Sequence, residues 1–254
     1  MGGFIMIKLT GIVIAKNEEE MIGECLDSLA FCDQIIVVDN ASSDGTKKIA
    51  KQKGAKVIST EINSFSELRN LGLAKARSEY VLYIDADERV SDALYNEILS
   101  IVYKNDKKIS AYRIPRKNYY FGDHPWPYIE KLERLFRKKS LKGWLGVLHE
   151  TPQVIGEVGE LESPILHYTH RNLEEMVNKT NVWSDVEARL RFEQHHPKMT
   201  WWRFPRVMFT AFWDSFVKQK GFQAGTIGLL ESVYQAYSMF ITYAKLWELQ
   251  EIKQ

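Results

Sequence analysis

The chain lacks several features that mark common classes of protein. Its 254 residues include two cysteines, Cys25 and Cys32, without a CxxC spacing, which predicts two small buried side chains in a reducing compartment. The formal net charge is only +1, so no broad positive field indicates a nucleic-acid partner. The N-terminus, Met1–Met6, is not a basic segment followed by a long apolar run, and we therefore expect no signal peptide.

Two common nucleotide-binding loops are also absent from the sequence. The apolar segment Leu9–Ala15 leads directly into Lys16-Asn17-Glu18, without the GxGxxG turn of dinucleotide-binding proteins. The GxxxxGK(S/T) loop that cradles phosphates occurs nowhere in the chain. If the protein binds a pyrophosphate, the sequence predicts that a metal ion holds it in place of a glycine loop.

The N-terminal part of the chain alternates between strand-like and helix-like patterns. Apolar runs indicate strands, and apolar residues at helical spacing indicate helices between them. In chain order these segments are Leu9–Ala15, Glu18–Leu29, Ile35–Val38, Thr46–Gln52, Val57–Ile58, Glu67–Ala76 and Tyr80–Ile84. Such alternation predicts βαβ crossovers, and hence an α/β fold with a mostly parallel sheet flanked by helices.

The last of these strands ends in two carboxylates. The run Tyr80–Ile84 leads into Asp85-Ala86-Asp87, and open α/β sheets bind ligands beyond the carboxyl ends of their strands. In an extended backbone Asp85 and Asp87 share a face, so both can point at one ligand. Such a pair suits Mg²⁺ or Mn²⁺, which holds phosphates through few protein ligands. An ordinary strand ending in solvated acids has the same local pattern.

Several motifs together resemble a known family. The segments IAKNEE (14–19), VVDNASSDGT (37–46), Arg69-Asn70 and YIDADE (83–88) resemble the inverting family 2 glycosyltransferases, which have the GT-A fold. The later motifs RLFR (134–137), VLHE (147–150), LHY (166–168), KGF (220–222) and YAKL (243–246) are similar to the branch that adds sugars to lipopolysaccharide core. One departure is Ala224, where that branch usually has an Asp.

The resemblance implies a set of donor-binding residues. Asp39 corresponds to the residue that accepts the uracil N–H, and Asp44 and Arg69 to its neighbours around the base. Asp87 is the first-choice metal ligand, with Asp85 reaching the metal or the ribose. The remaining implied residues are Ala15, Asn17 and Glu18 in the nucleotide crevice and His167 in the metal shell. A histidine satisfied within the core is the alternative for His167.

Inversion also requires a general base for the acceptor hydroxyl. In many relatives an Asp of an acidic pair has this role, and His149-Glu150 stands in the matching place here. We therefore expect Glu150 to be the base, with Asp123 and His149 as alternatives.

The segment after Glu88 changes character. Ala111–Pro115 and Arg134–Phe136 are predicted strands, joined by a loop at Asn118–Tyr128 that is rich in Tyr, Gly, Pro and His. Such a loop is suited to acceptor recognition or to packing as a connector. A positive surplus that includes Arg134 would favour an anionic acceptor, although it is equally compatible with a solvated face.

The C-terminal part is predicted to be helical. We expect a GT-A catalytic domain at 1–170, with a nucleotide-sugar half at about 1–103 and an acceptor half at about 104–170, followed by a helical region at 171–254. A helix beginning at Asn172 has Met176, Thr180, Trp183 and Ala188 placed for burial.

The last helix has two faces. Glu231, Gln235, Ser238, Thr242 and Lys245 share one narrow face, opposite a broad apolar one. The uncharged core, Ser232–Ala244, is too short to span a bilayer, which takes about 20 residues. With the cations Lys198, Arg203, Arg206, Lys218 and Lys220 nearby, the pattern favours a helix that lies on a membrane over one packed into the protein.

Taken together, the sequence predicts a metal-dependent inverting glycosyltransferase. It would move a hexose, glucose from UDP-glucose, to a lipid-linked or phosphorylated saccharide such as lipopolysaccharide core. The enzyme would be cytoplasmic and peripheral on the inner face of the cytoplasmic membrane. The alternatives are transfer to polyprenyl phosphate, which needs no general base, and a catalytically silent sugar-nucleotide-binding protein.

Overall fold

A computed structural model describes residues 8–62, 64–146 and 150–252 of the chain. Contacts within it define two compact units, residues 1–117 with 130–167, and residues 118–129 with 168–254. The division of the chain at residue 170 stays a prediction.

The described residues form eleven strands and seven α-helices. The strands are β1 (Leu9–Ala15), β2 (Gln34–Asn40), β3 (Lys56–Thr60), β4 (Tyr80–Asp85), β5 (Glu88–Val90), β6 (Ile109–Tyr120), β7 (His124–Arg137), β8 (Leu141–Leu145), β9 (Thr151–Val154), β10 (Glu157–Glu160) and β11 (Ile165–Tyr168). The helices are α1 (Ile22–Ser28), α2 (Thr46–Gln52), α3 (Phe65–Lys75), α4 (Asp92–Lys104), α5 (Leu173–Glu193), α6 (Arg203–Trp213) and α7 (Gly225–Ile252).

The main sheet has the strand order β3-β2-β1-β4-β7-β6-β11-β5, with β10 paired to β6. The first four strands in this order are parallel, because the helices α1, α2 and α3 connect them in the chain order β1, β2, β3 and β4. Strand β7 then pairs antiparallel to β4. The α/β class predicted from the alternating segments is confirmed.

Both faces of the parallel strands are buried. Ile12 and Val81 belong to the apolar cluster on one face, and the next residues, Val13 and Leu82, belong to the cluster on the other. Side chains alternate between faces along a strand, so a near-continuous apolar run is what a sheet covered on both sides requires.

The prediction of a loop at Asn118–Tyr128 is wrong. These residues belong to a long hairpin of β6 and β7, with only residues 121–123 between the strands. The turn is made by Phe121 (φ 47°) and Gly122 (φ 91°). Asn118, Tyr120 and Trp126 are buried, so the burial period of a strand continues through a segment whose composition is typical of a loop.

In the second unit, α5 begins where the sequence predicts. Asn172 caps the helix, its side chain accepting a hydrogen bond from the backbone N–H of Glu175 at 2.8 Å. Met176, Thr180 and Ala188 are buried as expected, whereas Trp183 is 41% exposed and Ser184 is buried in its place. The buried residues follow each other at intervals of four, and Trp183 is rotated off that line.

Candidate functional site

The carboxyl ends of β2, β1 and β4 form one edge of the sheet. In the parallel register Ala15 lies opposite Asp39, and Asp85 lies opposite Ile14. Adjacent strands are about 4.8 Å apart, so Asp39 and Asp85, two strands apart, are separated by roughly 10 Å in the plane of the sheet. The backbone alone therefore brings three predicted site residues to one edge.

The loops after β1 and β2 are tied together by hydrogen bonds. The backbone N–H of Asn17 donates to Ser42 Oγ at 2.9 Å, and Asn17 Oδ1 accepts from the N–H of Ser43 at 2.8 Å. The N–H of Glu18 donates to Thr46 Oγ1 at 2.8 Å. These contacts make the two loops one wall of a crevice above the strand ends.

Asp44 has a structural role in this wall. Its Oδ1 accepts from the N–H of Thr46 at 3.0 Å, and its Oδ2 accepts from the N–H of Glu19 at 3.1 Å. The Asp44 carboxylate thus accepts hydrogen bonds from backbone N–H groups at the start of α2 and in the neighbouring loop, so it has less hydrogen-bonding capacity left for a ligand.

Asp39 is buried, with one carboxylate oxygen unsatisfied. Its Oδ2 accepts from the N–H of Ser42 at 3.3 Å and lies 3.9 Å from Lys47 Nζ. Its Oδ1 has no hydrogen-bond partner in the part of the chain that the structure describes. A buried acceptor without a partner is costly, so this oxygen is suited to an N–H group of a ligand.

Arg69 lies on α3 behind the end of β4. A Cβ at Gly72, one turn further along, would lie 2.5 Å from Ile12 Cγ2, so glycine allows α3 to approach β1 closely. The Arg69 guanidinium is buried, 4.9 Å from the centre of the Trp144 ring and 5.7 Å from that of Tyr83. These two rings and the helix hold the guanidinium in one orientation.

Arg69 bridges two acids that are far apart in the sequence. Its Nε donates to Glu150 Oε1 at 2.9 Å, and its Nη2 donates to Asp85 Oδ1 at 3.1 Å. The second amino group, Nη1, is buried and has no partner among the described residues. The bridge thus joins the predicted base to the strand-end carboxylate and leaves one buried donor over.

Asn70 brings Glu150 within reach of Arg69. Its side chain donates to the carbonyl oxygen of Trp144 at 3.0 Å and accepts from the Trp144 N–H at 2.8 Å, which fastens β8 to α3. β8 pairs antiparallel with β9, and Glu150 immediately precedes β9. His149, the alternative base, lies outside the described residues.

Asp85 continues the charge network on its other side. Its Oδ2 accepts from Arg134 Nη2 at 2.8 Å, and that same nitrogen donates to Glu88 Oε1 at 3.2 Å. Glu88 is completely buried, and Arg116 Nη1 donates to it at 3.4 Å. Acids and guanidinium groups therefore alternate from Glu150 to Arg116, which compensates their burial.

The network stabilises the charged forms of Asp85 and Arg134. Burial alone would raise the pKa of the Asp85 carboxyl, but the charges of Arg134 and Arg69 outweigh it and hold that pKa well below its usual range. Burial alone would lower the pKa of Arg134, and the charges of Asp85 and Glu88 raise it instead.

Asp87 has different surroundings from Asp85. Strand β4 ends at Asp85 and Asp87 lies in a turn, so the expected extended backbone through both acids is wrong. Asp87 Oδ2 lies 3.3 Å from His167 Nε2, and both side chains are partly exposed. Asp87 and His167 form a mixed oxygen and nitrogen donor pair. The carboxylate suits Mg²⁺ or Mn²⁺, whereas the imidazole suits Mn²⁺ better than Mg²⁺, which prefers oxygen ligands.

The donor pair fits a metal that substrate phosphates complete. Among the residues that the structure describes, no group of three or more acidic, histidine or cysteine side chains could enclose an ion. Mg²⁺ commonly binds through one or two protein ligands plus phosphates, which is what Asp87 and His167 can offer. Asp85, with both oxygens on arginines, is less suited than predicted to the metal.

Two residues of the network were missed by the sequence reasoning. Glu88 has no predicted role beyond its place in the YIDADE segment, and Arg116 is not among the predicted site residues. Arg116 could be identified from the alternation of faces along a strand. Tyr112 and Ile114 are buried core residues on β6, and Arg116, two positions further on, lies on the same face.

Arg134 and Asp123, both predicted to bind the acceptor, lie in different surroundings. Arg134 is buried, and its Nη2 is shared between two acids as described above. Asp123 is exposed at the turn between β6 and β7, in the second unit. Their roles in acceptor binding stay predictions. A groove of about 630 Å³ between α5 and α7, also in the second unit, contains none of the predicted site residues.

A parallel sheet whose strand-end edge collects carboxylates and guanidiniums defines the class of α/β proteins that bind ligands at that edge. The family model described as glycosyl transferase family 2 matches residues 10–155. An uncharacterized glycosyltransferase of Rickettsia typhi is 31% identical over 96% of this chain and 88% of its own length. The chain therefore belongs to glycosyl transferase family 2 and is a glycosyltransferase, as the motifs predicted.

Two further similarities have more specific names. The lipopolysaccharide core biosynthesis glycosyltransferase LpsC of Rhizobium meliloti is 25% identical over 97% of this chain and 94% of its own length. A crystal structure of glucosyl-3-phosphoglycerate synthase from Mycobacterium tuberculosis, in complex with Mn²⁺, UDP and glucosyl-3-phosphoglycerate, is 26% identical with a TM-score of 0.37. That match covers 46% of this chain and 45% of the synthase.

Proposed function

We propose that this chain is a metal-dependent inverting glycosyltransferase that moves glucose from UDP-glucose to a lipid-linked saccharide. The observation that carries the proposal is the bridge made by Arg69. It touches Asp85, at the strand end where donors bind in such sheets, and Glu150, the predicted base. This contact supports a site in which the residues proposed to act on the donor and on the acceptor hydroxyl lie in one small region.

The nucleotide is proposed to lie above the ends of β1 and β2. The buried and unsatisfied Asp39 Oδ1 would accept the N–H of the uracil ring. The hydrogen-bonded loops that carry Asn17 and Glu18 would form the wall beside the base and ribose. Because these loops already bond to each other, the crevice would lose little conformational entropy when the donor binds.

The leaving diphosphate is proposed to lie beside Asp87 and His167. A divalent cation held by these two side chains would supply Lewis-acid stabilisation of the departing phosphates. The buried donor Arg69 Nη1 would add a second positive group to the same region.

Glu150 is proposed to act on the acceptor. The acceptor oxygen forms a bond to the anomeric carbon, the bond from that carbon to the phosphate oxygen breaks, and UDP leaves with the electron pair. The acceptor proton passes to Glu150, and attack from the face opposite UDP inverts the configuration. Arg69, fixed by Trp144 and Tyr83, would act as a positioning residue that aims the carboxylate.

The acceptor is proposed to be a lipid-linked saccharide of the lipopolysaccharide core type, consumed at the inner face of the cytoplasmic membrane. Similarity to LpsC over nearly the full length of both chains supports this choice.

The test is release of UDP from UDP-glucose in the presence of lipid-linked core saccharide. We expect turnover that stops in EDTA and returns with Mn²⁺, and that falls at least about 10³-fold in Asp87→Asn. Asp92→Asn, an exposed acid on α4, is the matched control and should keep normal turnover. Turnover that persists in EDTA, or in Asp87→Asn, would overturn metal dependence.

The same assay separates the two alternatives. A silent binding protein would show no turnover, yet UDP-glucose at about 100 times its Kd would still raise the free energy of unfolding by about 2.7 kcal/mol. Turnover with polyprenyl phosphate in place of the saccharide would favour the phosphate acceptor.

A further inference from the structure

Helix α7 buries several polar side chains on its inner face, together with Tyr243 and Leu246, and exposes large apolar side chains on the opposite face. Glu231 and Ser232 are 1% and 0% exposed, whereas Leu230 and Val233 are 46% and 52% exposed. The exposed set continues along one side of the helix as Leu229, Leu230, Val233, Tyr237, Phe240 and Trp247, which we call the α7 stripe. At 1.5 Å per residue the stripe is about 27 Å long.

The inward polar groups of α7 are satisfied within the second unit. Glu231 contacts His170 Nδ1 at 2.8 Å and accepts from Gln235 Nε2 at 2.7 Å. Ser232 is hydrogen-bonded to Ser215 at 3.0 Å. These bonds satisfy the polar groups that α7 buries, so the Glu231 carboxylate is not left without partners on the inner face of the helix.

Helix α6 runs beside the α7 stripe. The Phe204 and Phe240 rings are 5.8 Å apart, and the Ser215–Ser232 bond joins the other ends, so the two helices are antiparallel. On α6, Trp202, Arg206, Phe209 and Trp213 occur at spacings of three and four and are all exposed. We call these four residues the α6 stripe. No residue of α6 itself is fully buried.

Some of the cations next to the two stripes are paired with acids, and others are not. Lys198 pairs with Glu251 at 2.9 Å and Lys218 with Asp214 at 2.6 Å, so two of the five predicted cations are neutralised. Arg206 and Lys220 are exposed and have no ion pair in the described parts of the chain, and Arg203 stacks on Trp202 at 5.3 Å. Glu248 is exposed at the far end of the α7 stripe, so positive charge is concentrated towards α6.

We propose that the α6 and α7 stripes form a docking surface for an anionic lipid bilayer, on which both helices lie in the plane of the interface. Trp and Tyr have an apolar ring and a polar edge, a combination enriched where water meets lipid. Exposed arginine and lysine beside them complement anionic headgroups, a feature that a purely apolar protein partner would not require. Within the described ranges no helix is long and apolar enough to cross a bilayer.

The test is sedimentation of the full-length protein with vesicles of phosphatidylcholine, with and without phosphatidylglycerol. We expect binding to the anionic vesicles that weakens in high salt. Val233→Glu should lower the partition coefficient by roughly tenfold at any salt concentration. Arg206→Glu should lower it by about tenfold at low salt and much less at high salt.

Matched controls come from the first unit. Ile155→Glu places the same charge at a β-branched residue that is 63% exposed, and Lys107→Glu reverses another exposed cation. Neither should change binding. The proposal is overturned if the wild-type protein stays in the supernatant at low salt, or if the control variants lose binding as much as the stripe variants do.

A second outcome would assign the surface to another copy of this chain. If the protein is a dimer in light scattering without lipid, and Val233→Glu makes it monomeric, the stripe is a protein interface and the lipid proposal fails. Sedimentation does not require glycosyl transfer, so its failure and the failure of the proposed function are distinguishable.

Discussion

Glu88 and Glu231 are buried glutamates, one in each compact unit, and they have different surroundings. Glu88 bonds to the guanidiniums of Arg134 and Arg116, directly behind the strand-end Asp85. Glu231 bonds to His170 and to an amide one turn along its own helix. The first carboxylate belongs to a charge network at the carboxyl ends of the strands, whereas the second is bonded on the inner face of a helix.

The difference suggests how burial of polar groups is used in each unit. In the first unit, acids and guanidinium groups of opposite charge are paired at the carboxyl ends of the strands. In the second, Glu231 and Ser232 are paired on the inner face of α7, and an apolar face is exposed. Substitutions in the charge network of the first unit should therefore change turnover, and those on the inner face of α7 should change stability.

The largest effect is expected for Glu150→Gln. The change keeps the shape of the side chain but removes its capacity to take a proton, so kcat should fall about 10²–10⁴-fold while donor affinity is nearly unchanged. Steady-state UDP release and donor titration measure the two quantities. Glu157→Gln, an exposed acid on β10, is the control. A normal kcat for Glu150→Gln would move the role of base to Asp123 or His149, or indicate a phosphate acceptor.

Arg69→Lys should have the next largest effect. Lysine cannot make the two-sided contact with Asp85 and Glu150, so we expect kcat to fall by roughly 10- to 100-fold. If Arg69 acts by aiming Glu150, the double variant with Glu150→Gln should be little slower than Glu150→Gln alone. Fully additive losses in this cycle would mean that Arg69 acts independently of Glu150.

In the second unit, Glu231→Ala should lower the free energy of unfolding. It leaves the partly buried side chains of His170 and Gln235 without their partner, at a cost of about 1–3 kcal/mol. Val233→Ala, at the neighbouring exposed turn, should stay within about 0.5 kcal/mol of wild type. Urea unfolding checks both. Equal losses for the two variants would contradict the inverted arrangement of α7.

The last comparison is between two helical glycines of the first unit, and it includes the smallest expected effect, that of Gly23→Ala. A Cβ at Gly72 would lie 2.5 Å from Ile12 Cγ2, whereas one at Gly23 would meet nothing closer than Ile49 Cγ2 at 3.8 Å. Gly72→Ala should therefore destabilise the fold by about 1–3 kcal/mol through overpacking. Gly23→Ala should stabilise α1 by roughly 0.5–1 kcal/mol through helix propensity. If both changes are stabilising in thermal unfolding, α3 does not depend on its close approach to β1.

Local pattern determined much of this protein. Apolar runs and turn residues located β1, β2, β4 and α2 within a residue or two, because a parallel sheet covered on both faces demands them. Parallel strands end at one edge, so the approach of Asp39 to Asp85 also followed from the alternation of elements. The two faces of α7 were likewise readable from helical spacing.

Only the tertiary structure decided which groups meet and which face is buried. Glu150 reaches Arg69 from 81 positions away, and Arg134 reaches Asp85 from 49, through packing that no local period encodes. A helix with one polar and one apolar face has the same spacing whichever face is inside. The partners of Glu231 and Ser232 in other elements make burial of this polar face possible in α7, because without them the buried carboxylate would be unbonded and costly.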